Sequence, residues 1–456
     1  MNNWTKLTIE EKLTILSNVA ESKGIVDNAV EKDYWVSMVL RAIFTLPYAT
    51  AFVFKGGTSL SKGWSLIERF SEDIDLAIDR QYLGFTTVDT KNQRTKLRKD
   101  SKKFIDTVFA VDIANKLNEL GLFDHCKVIV PETSVSDLDP VVVLIEYDSI
   151  LQNKIQYIPE RVKIEISCRS LMEPSERIEI RSMIEDAYPD EEFSLSAFAV
   201  PTVVPGRTFL EKVFLLHEEF NRPNGCTRIE RITRHMYDIV KMMDKPFASE
   251  AMNNKILYED IVSHRSQFTA WSGLDYASHL PQTINFVPPT HIMTALQDDY
   301  RQMQIGFIYA EAPSFDEIME QLQELQDSFW NYKVIIPEAN GTGAIGEVLS
   351  TPLVGVPVVG YTDTFIGIGA FDTEIEANAC LKYIKTKFAR TMLGTLKATQ
   401  HNPRETWANV PMQDFTSESD INWDAPISEI DKQLYSKYRL SDEEIQFIEQ
   451  NVKSMA

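Results

Sequence analysis

Lys55-Gly-Gly-Thr-Ser-Leu-Ser-Lys62, followed by Arg69-Phe-Ser-Glu-Asp-Ile-Asp-Leu76, decides how this chain is read. Ahead of it, Ala51-Phe-Val-Phe54 is a short apolar run that predicts a strand. Behind it, Thr58 to Ile67 predicts a helix and Asp73 to Ile78 a second strand. Glycines at 56 and 57 allow positive φ and close approach of another group to the main chain. Free N–H groups at the start of the following helix can receive a phosphate, and the Ser59 hydroxyl adds a donor in that turn. On the second strand Asp73 and Asp75 share one face, while Ile74, Leu76 and Ile78 share the other. Two carboxylates so placed share hard cations such as Mg²⁺ or Mn²⁺. Ions held there activate an attacking hydroxyl and neutralise a triphosphate during in-line transfer. Either half alone is commonplace, as a tight turn or as the solvent face of a strand. Their order within residues 55–75 points to metal-dependent nucleotidyl transfer.

Two-metal sites often use a third carboxylate. In Arg161-Val-Lys-Ile-Glu-Ile-Ser167, Lys163, Glu165 and Ser167 share a strand face. Glu165 is a candidate third ligand or base, and equally an ordinary exposed strand residue.

Further out, Thr8 with Glu11 has the spacing of a capping box and opens a helix over 8–22. Helices are expected at 28–45, 92–119, 207–220, 228–243, 373–398 and 441–453, with a mostly helical stretch at 250–330. Strands are expected at 141–147 and 162–167, and as short runs within the Gly-, Pro- and Val-rich 331–370. A composition change puts a domain boundary at 325–335. The expected domains are a core over 1–200, a helical domain over 201–330 completing the site, and a smaller α/β domain over 331–456.

With 456 residues the chain has room for about two to four domains. Its formal charge of −21 argues against a broad basic surface but not against a local basic groove. Cys126, Cys168, Cys226 and Cys380 are scattered with no CxxC pair, so neither a zinc site nor a disulfide framework is expected. The N-terminus lacks signal-peptide character and no apolar run has the length of a membrane span, so a cytoplasmic protein is expected.

The segments Phe54 to Lys62 and Arg69 to Leu76 resemble the AbiEii/AbiGii-type nucleotidyltransferase toxin family. So do Glu31-Lys-Asp-Tyr-Trp35, Arg207-Thr-Phe-Leu-Glu-Lys212 with Leu216-His217, and Arg234-His-Met-Tyr-Asp238. The resemblance spans about residues 25–325. It implies an α+β protein built on a polymerase-β-like nucleotidyltransferase domain with helical additions, using an NTP donor and Mg²⁺. By motif it implies that Asp73 and Asp75 bind metal, Lys212 contacts the triphosphate and Asp238 completes the catalytic set. Lys55, Gly56, Gly57, Ser59 and Lys62 would border the nucleotide. From the residues alone, Lys212 is also readable as a surface lysine, Asp238 as the i, i+4 ion-pair partner of Arg234, and His217 as a core or capping histidine. Members of this family are toxins paired with an antitoxin, expected to modify RNA at tRNA 3′ ends, which implies ATP or another NTP as substrate and a role in phage defence.

Residues 333–456 resemble the target-recognition tail of restriction–modification proteins, through Thr362-Asp-Thr-Phe, Tyr383-Ile-Lys-Thr-Lys-Phe388, Thr399-Gln-His401, Val410-Pro-Met-Gln-Asp-Phe415 and Tyr435-Ser-Lys-Tyr438. Lys382, Lys385, Lys387, Arg390 and Lys397 form a basic stripe there that could bind phosphates or simply be a solvated helix face. Two rival functions follow. One is a nucleic-acid specificity module of a restriction-type assembly with an inert transferase fold. The other is a transferase acting on a small-molecule acceptor in a closed pocket.

Overall fold

A computed structural model describes residues 3–455 except 154–157, 173, 223–226, 270, 272, 282, 307, 310, 340–343, 358–363, 398–400, 402 and 409. The chain divides into two compact units. The first takes in Met1–Met243, Asp260–Leu274 and Pro288–Ile318, and the second Asp244–Glu259, Asp275–Val287 and Met319–Ala456. The helices after residue 201 therefore fall into both units, and the expected boundary at 325–335 lies a few residues into the last segment of the second.

The first unit is built on a mixed seven-stranded sheet. Its strands are β1 (Phe52–Lys55), β2 (Asp73–Ile78), β3 (Cys126–Ile129), β4 (Val141–Tyr147), β5 (Arg161–Ser167), β6 (Ser175–Ile180) and β7 (Phe198–Val203), in the order β3-β4-β5-β2-β1-β7-β6. β2 runs antiparallel to β1 and parallel to β5. Strands β3, β6 and β7 escaped the sequence reading. β6 is mostly exposed and so lacks an apolar alternation to read.

Alternation sorts the two faces. Phe52, Phe54, Ile74, Leu76, Ile78, Val162, Ile164 and Ile166 are buried on one side. They pack in one core with α2 (Asp27–Phe44) and with α4 (Lys91–Phe104) and α5 (Ala110–Glu119), which a π-turn at Ile105–Phe109 joins. α1 (Ile9–Lys23) begins with the expected capping box and ends at Gly24 in the left-handed region. On the opposite face lie Lys55, Asp73, Asp75, Lys163 and Glu165, beside a small apolar cluster of Val53, Ala77 and Val203.

Helix α2 is buried along nearly its whole length, including three consecutive charges. Each is matched, as burial of an ionised group requires. Glu31 accepts from Ser149 Oγ at 2.6 Å and Ile150 N at 2.9 Å. Lys32 pairs with Glu72 at 2.6 Å and donates to Pro159 O at 2.8 Å. Asp33 pairs with Lys62 at 2.5 Å and accepts from Met183 N at 2.7 Å. The Glu-Lys-Asp run thus braces the strand end next to Asp73 from behind. The first unit continues through α3 (Gly56–Thr58), α6 (Met183–Ala187), α7 (Pro205–Phe220) and α8 (Thr233–Met243). After α9 (Pro246–Asn253) in the second unit, α10 (Lys255–Phe268), α11 (Met293–Gly306) and α12 (Phe315–Trp330) follow.

The last segment of the second unit carries an antiparallel sheet of β8 (Tyr332–Pro337), β9 (Leu353–Gly355) and β10 (Phe365–Phe371), with α13 (Glu374–Lys385), α14 (Lys387–Leu396), α15 (Arg404–Trp407), α16 (Ile427–Lys437) and α17 (Asp442–Asn451). The helix expected over 373–398 is two helices. Thr386 caps α14 by accepting from Ala389 N, and Asp431 accepts from Lys387 N and Phe388 N. This break reorients the basic stripe. Lys382 donates to Trp423 O at 2.7 Å, Lys387 pairs with Glu449 at 2.6 Å, and Lys397 pairs with Glu347 at 2.8 Å. Arg390 is 1 % exposed and donates to the carbonyls of Lys385, Gly346, Glu347 and Lys453. Lys382, Lys387, Arg390 and Lys397 thus make contacts within the unit, and Lys382, Lys385 and Lys387 also line one cleft of about 740 Å³. The segments that carried the resemblance likewise meet in its core. Tyr383 donates to Pro411 O at 2.6 Å, Gln413 donates to Tyr438 Oη at 2.8 Å, and Phe388 stacks on Tyr438 at 4.8 Å. Residues 362–363 and 399–400 of those segments lie outside the described residues.

Replacing Arg390 with Ala leaves several buried carbonyls without a donor. It is expected to lower the stability of the second unit by about 3 kcal/mol in denaturant unfolding. Removing the exposed Lys432–Glu429 pair is expected to leave the unfolding transition unchanged.

Candidate active site

The polar face of the sheet concentrates acid in one place. Register sets Lys55 beside Asp75, Asp75 beside Glu165, and Asp73 beside Lys163. Burial, together with the neighbouring Glu165 and Asp73 carboxylates, pushes Asp75 up to about 7. Asp73 is raised in the same direction, by burial first and also by Glu72 and Glu165, against the lowering effect of Lys163. The row therefore carries more negative charge than its own cations neutralise.

The glycine turn is moulded onto this row. Gly56 has φ +78°, and a Cβ there would lie 2.0 Å from Asp75 Oδ2. At Gly57 a Cβ would lie 2.7 Å from Arg69 Nη2. Only glycine lets the turn lie against both side chains. Thr58 Oγ1 donates to Asp73 O at 2.5 Å and ties the turn to the head of β2. The helix that follows is shorter than expected. α3 runs into a π-turn over Ser59–Gly63, and Ser65 then adopts φ +52°.

Facing the carboxylates across a cleft of about 280 Å³ is a wall supplied mainly by α7 and α8. Thr208, Glu211, Lys212 and Leu215 of α7 line it at helical spacing, with Arg228, Arg234 and His235, and with Arg265 from α10. Lys55, Gly56, Gly57, Arg69 and Ser71 complete the lining. Six Lys or Arg residues and four Asp or Glu residues line the cleft, so it is cationic inside an acidic chain. The guanidinium Nε of Arg234 and the hydroxyl of Thr208 are both buried without a hydrogen-bond partner.

The basic wall is held by buried acids. Asp238 accepts from Arg69 Nε and Nη2, both at 2.7 Å, and pairs with Lys212 at 2.8 Å. Burial alone would raise the Asp238 carboxyl, but Arg69 and Lys212 hold it down at about 2. Glu211 likewise sits at about 2. Burial raises it, and Lys55, Arg207 and Arg265 outweigh that. Arg265 is gripped by Glu218 through two 2.6 Å bonds. Lys212 Nζ lies 3.3 Å from His235 Nδ1, and burial with the adjacent Lys212 and Arg234 keeps that ring neutral.

Of the residues singled out in the sequence, Lys55, Gly56, Gly57, Asp73, Asp75, Glu165 and Lys212 line this one cleft. Three do not. Ser59 is buried and donates to Gly56 O at 2.8 Å, so its hydroxyl shapes the turn. Lys62 is paired with Asp33 and lines a neighbouring cleft. Asp238 is fully buried, and its partners are Arg69 and Lys212, not Arg234 as in the alternative surface-pair reading. His217 is a core residue, 1 % exposed. The sequence reading missed Arg69, Thr208, Glu211, Arg228, Arg234, His235 and Arg265. Positions 208, 211, 212 and 215 follow the i, i+3, i+4, i+7 rule and were the available signal.

Among the described residues no group of three or more His, Cys, Asp and Glu side chains forms a ready metal cage. Glu165 is turned to Lys163 at 2.6 Å. Mg²⁺ needs no such cage, since it is commonly held by one or two carboxylates with substrate phosphates and water. The under-neutralised pair Asp73 and Asp75, with a cationic wall for the phosphates opposite, fits that donor set.

Asp238→Ala leaves two buried cations unmatched and is expected to destabilise the first unit by about 3–5 kcal/mol at neutral pH. The Asp238 carboxyl is depressed in the fold, so its stabilisation is present above about pH 4 and is lost as pH falls towards 2. Thermal melts of wild type and Asp238→Asn should therefore differ at pH 7, approach each other below about pH 4 and converge only below about pH 2.

The AbiEii model, described as nucleotidyl transferase AbiEii toxin of a type IV toxin–antitoxin system, matches residues 39–321. No curated protein matches the chain. Among solved structures, MenT4, a nucleotidyltransferase toxin from Mycobacterium tuberculosis H37Rv, is 15 % identical. That alignment covers 68 % of this chain and 98 % of MenT4, with a TM-score of 0.33. JHP933 from Helicobacter pylori is 14 % identical, with 66 % and 97 % covered and a TM-score of 0.27. The family match takes in the glycine turn, both aspartates, Lys212 and Asp238, and on it the chain belongs to the AbiEii nucleotidyltransferase toxin family.

Proposed function

We propose that the cleft binds a nucleoside triphosphate with Mg²⁺ and transfers its nucleotide to an RNA acceptor, with tRNA the leading candidate. The chain would then act as the toxin of an antitoxin-paired system serving phage defence. The observation that carries this reading is a row of carboxylates and a wall of cations lining one cleft, with a glycine turn moulded onto Asp75. Asp73 and Asp75 would hold the metal, with Glu165 beside them once released from Lys163. Mg²⁺ bound there would neutralise the triphosphate and favour ionisation of the attacking hydroxyl. Lys212, Arg228 and Arg234 offer the phosphates charge, and the unpartnered Arg234 Nε and Thr208 hydroxyl offer them donors. Asp238 acts through Lys212 and Arg69 by fixing their positions. Asp73, Asp75 and Glu165 remain partly exposed, so the hydroxyl end of a large acceptor can reach them, as a sealed small-molecule pocket would not allow.

The test is transfer of label from α-labelled NTPs to total tRNA with Mg²⁺, Mn²⁺ or chelator. Wild type is expected to label RNA only with a divalent cation. Asp75→Ala should reduce transfer by on the order of 100-fold or more, and Lys212→Ala should raise the KM for NTP. Equal transfer by Asp75→Ala, or undiminished transfer in chelator, would overturn the metal assignment. Label moving to protein alone would overturn the RNA acceptor.

A further inference from the structure

Asp238 grips Lys212 and Arg69, and Glu218 grips Arg265, but Arg234 reaches the cleft by other means. Its guanidinium Nε is buried without a hydrogen-bond partner. Nor does charge hold it in place. Burial, with Arg69 and Arg231 nearby, outweighs the pull of Asp75 and Asp73 and lowers its pKa. The aim of this side chain is therefore set by the first turn of α8, which also carries His235 into the cleft.

What fixes that turn comes from far along the chain. The residue before the helix is Ile232, whose side chain has no oxygen for the free N–H groups of the helix start. Asp299, half-buried on α11, supplies two. Its Oδ1 accepts from Arg231 N at 2.7 Å. Its Oδ2 accepts from Thr233 N at 3.2 Å and from Thr233 Oγ1 at 2.5 Å. Three donors on one carboxylate fix both the position and the rotation of the helix end. Arg231 is held there at φ +60°, a left-handed conformation uncommon outside glycine. The link from α7 is tied at its other end as well, where Glu219 accepts from Arg228 N at 2.5 Å. Beyond α11 the chain returns to the site: Ile308 bridges to the main chain of Arg69, and Tyr309 N donates to Glu68 O at 3.3 Å. The segment that carries Asp299 thus braces both Arg69 and the start of α8, although Asp299 itself does not line the cleft.

We propose that Asp299 is a positioning residue for phosphate binding, fixing the first turn of α8 so that Arg234 points into the cleft, as Asp238 fixes Lys212. The inference rests on the reading of the cationic wall as a triphosphate site and does not depend on the acceptor. It divides the site into two parts. Asp73 and Asp75 stand on the sheet, so loss of Asp299 loosens the hold on phosphates and leaves the cation-binding carboxylates as they are.

Calorimetric binding of inorganic tripolyphosphate to the full chain is compared for wild type, Asp299→Ala, Asp299→Asn and Asp298→Ala, the last at the exposed neighbouring position. Melting curves, Mn²⁺ binding without phosphate, and KM and kcat for NTP in the transfer assay are measured alongside. Asp299→Ala is expected to weaken tripolyphosphate binding and raise the KM by on the order of tenfold, with Mn²⁺ binding unchanged. Asparagine keeps an oxygen for the helix end, so Asp299→Asn should lose no more than about threefold. Asp298→Ala should match wild type. Unchanged tripolyphosphate affinity and KM in Asp299→Ala would overturn the positioning role and leave the transfer reaction standing. A kcat that falls with the melting temperature at constant KM would reduce Asp299 to a cap that holds the fold, and would overturn it too. Weakened tripolyphosphate binding in the variant, with no label transferred by wild type, would support the positioning role and remove the reaction. Should Asp299→Ala unfold, Thr233→Val removes one of the three bonds and decides the matter: weaker tripolyphosphate binding supports the inference, and unchanged binding overturns it.

Discussion

Like charges held close on a rigid sheet repel, and the active unit is organised around that fact. Register sets Asp75 beside Glu165, with Asp73 on the same face of the same strand, and burial makes ionisation of the two aspartates unfavourable. A sheet that places acids so needs positive charge delivered from elsewhere. Part of it comes from the protein, through Lys55 and Lys163 in the sheet and the Arg and Lys residues across the cleft. The part left over is what a divalent ion would supply.

The positive wall is itself unstable without support. Lys212 and Arg69 repel each other, and Asp238 buried between them makes their proximity tolerable. Glu211 does the same for Lys55 and Arg207, and Glu218 for Arg265. On the other side of the sheet Lys32 neutralises Glu72, next to Asp73. Alternating layers of charge thus run outward from Asp73 and Asp75. The family's motifs divide between groups that face the cleft and groups that brace them from behind.

That division explains what could be read beforehand. The carboxylate row was legible because strand alternation is a local rule, and Asp73, Ile74, Asp75 and Leu76 obey it. The Gly56-Gly57 turn was legible for a similar reason. Ser59 and Lys62 fall outside the cleft lining because three residues further on the chain has entered a π-turn, whose facing no helical count anticipates. The local alternative for Asp238, an i, i+4 pair with Arg234, is not what forms, because its partner Arg69 is 169 residues away in sequence. Arg228, Arg234 and Arg265 come together only through packing of α7, α8 and α10. In the second unit a run of lysines suggested an open stripe, until the break at Thr386 turned several of them into internal contacts.

The central claim is that Asp73 and Asp75 create a cation site completed by a triphosphate. Titration of Mn²⁺ followed by electron paramagnetic resonance, with and without a non-hydrolysable NTP analogue, measures this without any acceptor. The expected result is Mn²⁺ binding that tightens with the analogue in wild type and is abolished in Asp75→Asn. Mn²⁺ bound equally by both proteins, or an analogue that leaves Mn²⁺ affinity unchanged, would contradict it.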